Sequence, residues 1–145
     1  MKMKVSGFDE ILKALSKVEA STVDASIKAV DKAAPILKSS LQSEIGKAAN
    51  RGYATGSLQG SVSVMKAREN EYGVFSVVGP QGKDDKGVSN EDKLLWLENG
   101  TLREGTNLMK RAGPIRRRAV NSARTQCEEI MEKEINNLID KTFGG

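Results

Sequence analysis

Residues 23–48 read VDASIKAVDKAAPILKSSLQSEIGKA, and the order of their apolar positions decides the fold class. Val23, Ile27, Val30, Ala34, Leu37, Leu41, Ile45 and Ala48 recur at intervals of four and three, the period that brings side chains onto one face of an α-helix. Pro35 falls inside the run. It lacks an amide donor and crowds the preceding turn, so a kink is expected there, not a stop, because the seam continues on both sides. The repeat is too irregular for a free-standing coiled coil, and packing against a core is the better expectation.

Upstream, Phe8, Ile11, Leu12, Leu15 and Val18 predict a shorter helix, with Asp9 and Glu10 in its first turn, where carboxylates suit the helix dipole. Ser21 or Thr22 is then positioned to cap the second helix. Downstream, Gly52, Gly56 and Gly60 lie among Ser and Thr, which reads as a loop over residues 51–60. Residues 61–66 (SVSVMK) and 72–78 (YGVFSVV) alternate or are β-branched and aromatic. With Arg68-Glu69-Asn70-Glu71 as a polar turn between them, they predict an antiparallel hairpin that ends at Gly79-Pro80.

Residues 81–93 are hydrophilic and contain glycine, and are expected to form an exposed loop. Residues 94–99 (LLWLEN) suit either a buried strand or a short helix; Ser89 or Asn90 as a cap, Glu91 and Asp92 behind it, and Asn99-Gly100 as an end favour the helix. Residues 102–113 read as another loop. Pro114 then opens a last helix with apolar positions Ile115, Ala119, Ala123, Cys127, Ile130, Met131, Ile135, Leu138 and Ile139. At 1.5 Å per residue its roughly 25-residue stripe makes a rod of about 37 Å.

The expected architecture is therefore α+β. Amphipathic N-terminal helices and a long C-terminal helix pack on a small antiparallel sheet. The chain is a single domain over 1–145, with a helical part at 1–50, loop and hairpin at 51–80, loops with a short helix at 81–113, and the last helix at 114–141. At 145 residues such a domain can bury enough surface to need no disulfide or metal staple.

Composition narrows the chemistry. There is no histidine and one cysteine, which removes imidazole-dependent nucleophilic catalysis, His-based metal sites and Cys-cluster zinc sites. Cys127 is flanked by Glu128 and Glu129, which disfavour a thiolate, so it reads as a small apolar filler. The segment Gly79-Pro80-Gln81-Gly82-Lys83 is followed by Asp84 and Asp85, charges of the wrong sign for a phosphate cradle. The carboxylate pairs Asp84/Asp85, Glu91/Asp92 and Glu128/Glu129 lie in polar runs and read as solvated surface. The start MKMKVSGFDE has no apolar leader core, and no membrane span is expected. Neither catalytic residues nor a cofactor nor a metal is expected.

Charge is more informative by segment than in total. The chain carries 23 Lys+Arg and 19 Asp+Glu, a net +4. Residues 103–124 alone hold 7 basic and 1 acidic residue, and residues 125–145 hold 2 and 5. The basic group is Arg103, Lys110, Arg111, Arg116, Arg117, Arg118 and Arg124. Three of these arginines would lie in the first turn of the last helix, where the dipole is positive and each exposed cation costs roughly 0.3–1 kcal/mol. Either they are simply solvated or they meet an anion from outside the chain: phosphate, or carboxylates of another subunit. Glu128, Glu129, Glu132 and Glu134 at the far end of the helix are such carboxylates. A protomer basic at one end and acidic at the other suits head-to-tail contacts that close into rings.

Several segments in order, Gly7-Phe8-Asp9-Glu10-Ile11-Leu12, the Ala- and Lys-rich helix around Pro35, Thr55-Gly56-Ser57-Leu58-Gln59-Gly60-Ser61-Val62, Val78-Gly79-Pro80, Leu97-Glu98-Asn99-Gly100-Thr101 and Pro114-Ile115-Arg116, give the chain its resemblance to a known group. It resembles the small head–tail joining, neck or tail-completion proteins of long-tailed bacteriophages and their prophages. The motif positions are Thr55, Gly56, Leu58, Glu98, Gly100, Thr101 and Pro114. Gly52-Tyr53-Ala54 stands where that family often has an acidic entry, and Ile115 where an aromatic is common.

The resemblance implies a non-enzymatic structural protein, a ring between the connector or head-closure proteins and the tail. It implies assembly in the bacterial cytoplasm, residence in the virion neck or tail end, and non-specific contact with passing DNA. The long polar loops 81–93 and 102–113 would then order on docking. The alternative from the residues is a nucleic-acid-binding module on the basic 103–124 segment, although it lacks aromatic platforms beside its arginines.

Overall fold

The computed structural model describes residues 8–49, 56–100 and 113–143, with side chains from residue 16 onward except that of Ala49. Its fold is α+β. The elements in order are α1 (Phe8–Ala49), α2 (Gly56–Ser61), β1 (Val62–Val64), β2 (Arg68–Asn70), β3 (Gly73–Phe75), β4 (Val78–Pro80), α3 (Asn90–Asn99) and α4 (Ile115–Phe143). The expected loop at 102–113 lies outside the described residues except for Gly113.

The two expected N-terminal helices are one. α1 runs for 42 residues without a break at Ser21 or Thr22 and continues through Pro35. Thr22 does not cap: its hydroxyl donates back to the carbonyl of Val18 (2.7 Å), and that of Ser26 to the carbonyl of Thr22 (2.8 Å). These hydroxyls thus bond within the helix instead of ending it.

α4 packs antiparallel along α1. The Ser40 hydroxyl donates to the carbonyl of Ala119 (2.7 Å), the Cys127 thiol reaches the carbonyl of Ala33 (3.5 Å), and Lys32 pairs with Glu134. The expected seam accounts for only part of this contact. Its Ala34, Leu41, Ile45 and Ala48 are buried, but Val23, Ile27, Val30 and Leu37 are only half-buried. Ala25, Ala29 and Ala33 are buried as well, and at 100° per residue they lie on a different face of α1 from the seam. Methyl side chains there let the helix axes approach closely. Along α4, Ile115, Ala119 and Ala123 are buried, the stripe from Cys127 to Leu138 is half-buried, and Ile139 is 47% exposed.

The hairpin is longer and less regular than expected. Its turn is not at 68–71: Arg68–Asn70 is strand, and the chain reverses at Glu71-Tyr72, where the Asn70 side chain accepts the Tyr72 amide (2.8 Å) and Gly73 adopts φ 134°. Two antiparallel ladders result: β1 with β4 (Val62↔Pro80 to Val64↔Val78) and β2 with β3 (Arg68↔Phe75 to Asn70↔Gly73). Three residues, 65–67, join β1 to β2, whereas two, 76 and 77, join β3 to β4. The outgoing side therefore carries one extra residue, as in a β-bulge. The Ala67 amide, displaced from the ladder, donates to the Asp31 carboxylate of α1 (2.9 Å). Arg68 lies over the Phe75 ring, 5.0 Å from its centroid, a cation–π contact at the hairpin tip.

Two expected loops are structured. Residues 56–61 form α2, which places Leu58 in the core. Gln42 and Gln59 exchange amide bonds with each other's backbone (3.2 and 2.9 Å), and a Cβ at Gly46 would stand 2.8 Å from the Gln59 amide nitrogen. The stretch 81–93 is not an open loop that waits for a partner. Its last four residues belong to α3, capped by Ser89 as expected, and Gly100 closes that helix at φ 82°. Residues 94–99 are thus helix. Before it, the Asp84 carboxylate accepts the amides of Lys86 (2.9 Å) and Val88 (2.8 Å) and pairs with Lys93 (2.8 Å). Asn90 then ties α3 to the end of β4 through Gln81 and Gly82.

One core joins these parts: Leu41, Ile45 and Ala48 of α1, Leu58 and Val62, Leu94 and Leu97 of α3, and Ile115 and Ala119 of α4. Ile45, Leu94 and Ile115 are completely buried. Ile45→Ala or Leu94→Ala is therefore expected to cost about 2–5 kcal/mol in urea denaturation, and Ile139→Ala less than about 0.5 kcal/mol. The Asp84 carboxyl is held below its ordinary range, first by the Lys93 ammonium and then by the Val88 amide. A carboxyl more acidic folded than unfolded stabilises above its unfolded pKa, and that contribution is lost as pH falls through the folded value. Protection of the Val88 amide, measured against its intrinsic exchange rate at each pH, is expected to hold at neutral pH and to be lost only below the ordinary carboxylate range. Asp84→Ala is expected to remove that protection at neutral pH.

Candidate assembly surface

The basic segment meets the fold at the start of α4. Pro114 precedes the helix and its carbonyl accepts the Arg118 amide (3.0 Å), but a proline has no side-chain oxygen to cap the free amides of the first turn. α3 supplies one. The Glu98 carboxylate accepts the backbone amide of Arg116 at 2.7 Å, a cap given across space, with its negative charge at the positive end of α4. The Arg116 side chain lies between Glu91 (2.6 Å) and Glu98 (3.8 Å). Arg118 turns the other way, to the buried Glu44 of α1 (3.4 Å), which also holds Lys47 (2.7 Å).

The expected cluster therefore divides. Arg116 and Arg118 meet carboxylates of their own chain, contrary to an arrangement in which all three first-turn arginines await an outside anion. The reason is geometric: α3 and α1 flank the start of α4 on two sides, and each presents a glutamate. Arg117 is exposed and forms no ion pair among the described residues, and Arg124 two turns on is exposed as well. Arg103, Lys110 and Arg111 lie outside the described residues. On the acidic side, Glu128, Glu129 and Glu132 are exposed, but Glu134 is taken by Lys32 of α1, whose ammonium holds that carboxyl below its ordinary range.

Of the motif positions, Thr55 and Thr101 lie outside the described residues. Gly56 begins α2, Leu58 is core, Glu98 caps α4, Gly100 ends α3 with its amide on the Trp96 carbonyl (2.7 Å), and Pro114 leads into α4. Two motifs far apart in sequence thus meet at one joint. Glu44 and Glu91 were not legible as partners. Glu91 reads from the sequence as solvated surface, and Glu44 carries no local signal beyond being a carboxylate next to Ile45 of the seam.

Cys127 is half-buried, and burial, with Glu128 adding to it, pushes its thiol pKa up. Among the described residues no group of carboxylates and cysteine could hold a metal ion, and no helix is long and apolar enough to cross a membrane. A groove of about 350 Å³ runs between α1, β4 and α4, lined by Leu37, Val77, Val78, Ala119 and Val120, with the Arg116–Glu91 pair beside it. It presents an apolar wall and one neutralised ion pair. No protein-family model, curated protein or solved structure matches the chain.

Glu98→Ala is expected to destabilise the fold by about 1–2 kcal/mol, the scale of a lost helix cap, as read by urea denaturation. Glu98→Gln keeps an acceptor oxygen and is expected to cost less. Equal losses from both would show that charge, and not the hydrogen bond, holds the joint.

Proposed function

We propose that this chain is a structural protein of the head–tail junction of a long-tailed bacteriophage or prophage, a ring-forming adaptor between the connector and the tail. The resemblance of its motif series to neck and tail-completion proteins motivates the reading. The observation that carries it is the polarity of the outer face of α4. Arg117 and Arg124 stand exposed in its first third, and Glu128, Glu129 and Glu132 follow in its middle. A surface with a block of cations followed by a block of carboxylates is built for contact with copies of itself or with charged neighbours. Such a protein works by holding partners in place, and it requires no catalytic group or cofactor. Assembly would take place in the host cytoplasm and leave the protein at the virion neck or tail end.

The alternative, a nucleic-acid module on residues 103–124, has fewer free cations than the sequence promises, because Arg116 and Arg118 are neutralised by Glu91, Glu98 and Glu44. DNA contact in this reading is non-specific and secondary to assembly.

Deletion of the gene from an inducible prophage is expected to leave filled heads and free tails unjoined, visible by electron microscopy of the lysate. Joined, infectious particles from the deletion strain would overturn the reading. Binding of DNA by the purified protein, with affinity falling steeply and linearly in log salt, together with normal virions from the deletion strain, would promote the alternative.

A further inference from the structure

The outer face of α4 is a chemical palindrome. Positions 114, 117, 121, 124, 128, 132 and 135 recur at intervals of three and four and so share one face at 100° per residue, with the exposed Thr125 at its edge. Apart from the half-buried Ile135, all are exposed. Read forward, the face presents Pro114, Arg117, Asn121 and Arg124. Read backward from its other end, it presents Ile135, Glu132, Glu128 and Thr125.

In an antiparallel register with Arg124 opposite Thr125, each position meets its complement. Pro114 faces Ile135, Arg117 faces Glu132, and Asn121 faces Glu128, which Arg124 also reaches from one turn away. A twofold axis repeats every contact, as an isologous interface requires. From 114 to 135 the contact would run about 31 Å along the helix.

We propose that the free protein is a twofold dimer paired through the outer faces of antiparallel α4 helices. Charge complementarity selects a second copy as the occupant, and the intrachain pairing supports it independently. Arg116 and Arg118 each have a carboxylate of their own chain, and Glu134 has Lys32. Arg117 carries a cation in the unfavourable first turn and forms no ion pair among the described residues, and the antiparallel mate brings Glu132 to it. The two helix dipoles also run opposed in this register.

The dimer itself does not depend on the phage reading. Its regulatory consequence does rest on that reading: Arg117, Arg124, Glu128 and Glu132 are the groups that a head-to-tail ring would use. The dimer would hold them occupied until assembly exchanges one partner for another.

Sedimentation velocity of the full chain at low and high salt tests the pairing. A dimer is expected at low salt, weakened as salt rises. Reversal of one half of the palindrome, Arg117→Glu with Arg124→Glu, is expected to raise the dissociation constant at least about tenfold. Adding Glu128→Arg and Glu132→Arg to the same chain restores the complement with signs exchanged, and is expected to restore the dimer. All four sites are exposed, and circular dichroism checks that each variant is folded.

Thr125→Cys in a Cys127→Ser background places thiols beside the twofold axis, and a short bis-maleimide is expected to link two chains through them. A monomer at every salt concentration would overturn the proposal, as would failure of the four-site swap to restore pairing. A head-to-tail oligomer without the 125–125 link would also overturn it, while leaving the ring reading intact.

Discussion

The Glu98 carboxylate on the Arg116 amide, in the first turn of α4, is the contact on which the rest of the molecule depends. α4 begins with a proline and three arginines, so its first turn has free amides, no side-chain cap and an excess of positive charge. Glu98 answers both needs at once, and Glu91 and Glu44 complete the neutralisation from two other directions. With the turn held there, Ile115 joins Ile45 and Leu94 in the core, where all three are sealed from water. Burial of each such side chain contributes about 1.5–3 kcal/mol. The polar joint sets where the helix starts, and the apolar core supplies most of the stabilisation.

Away from that joint, the fold is a long helix with partners on more than one face. α4 lies along the alanine positions 25, 29 and 33, while the hairpin touches α1 through the Asp31 carboxylate. The extra residue in the hairpin and the carboxylate that receives its amide solve one problem together. An inserted residue leaves an amide without a ladder partner, and the half-buried Asp31 supplies the acceptor that water cannot fully provide there.

The same division into satisfied and unsatisfied charge governs what the surface can do. Arg116, Arg118 and Glu134 are paired within the chain, and among the described residues Arg117 and Arg124 on the outer face of α4 form no ion pair. A first-turn arginine with a carboxylate at 2.6 Å offers little to a partner, whereas one exposed and unmatched among the described residues offers a full charge. The candidate surface is therefore narrower than the run of basic residues suggests. It is also better ordered, because its cations and carboxylates sit on one rigid helix.

The sequence by itself determined the class of fold, the long C-terminal helix, the helical character of the N-terminal third, the hairpin, the caps of α3 and the absence of imidazole chemistry. These follow from local rules: a repeat of three and four makes a helix face, Ser89 and Gly100 bound a helix, and a missing residue type removes its chemistry. It also held the two motifs around Glu98 and Pro114 without showing that they meet. Local signals misled where a side chain had another bonding choice, as when Thr22, a good cap by type, turned its hydroxyl back into the helix. Only the tertiary structure decided which glutamates neutralise Arg116 and Arg118, that alanines form the contact with α4, and that Asp31 receives the displaced amide of Ala67. Charge pairing depends on which elements lie side by side in space, and sequence periodicity shows the faces of a helix without showing which neighbour each face will meet.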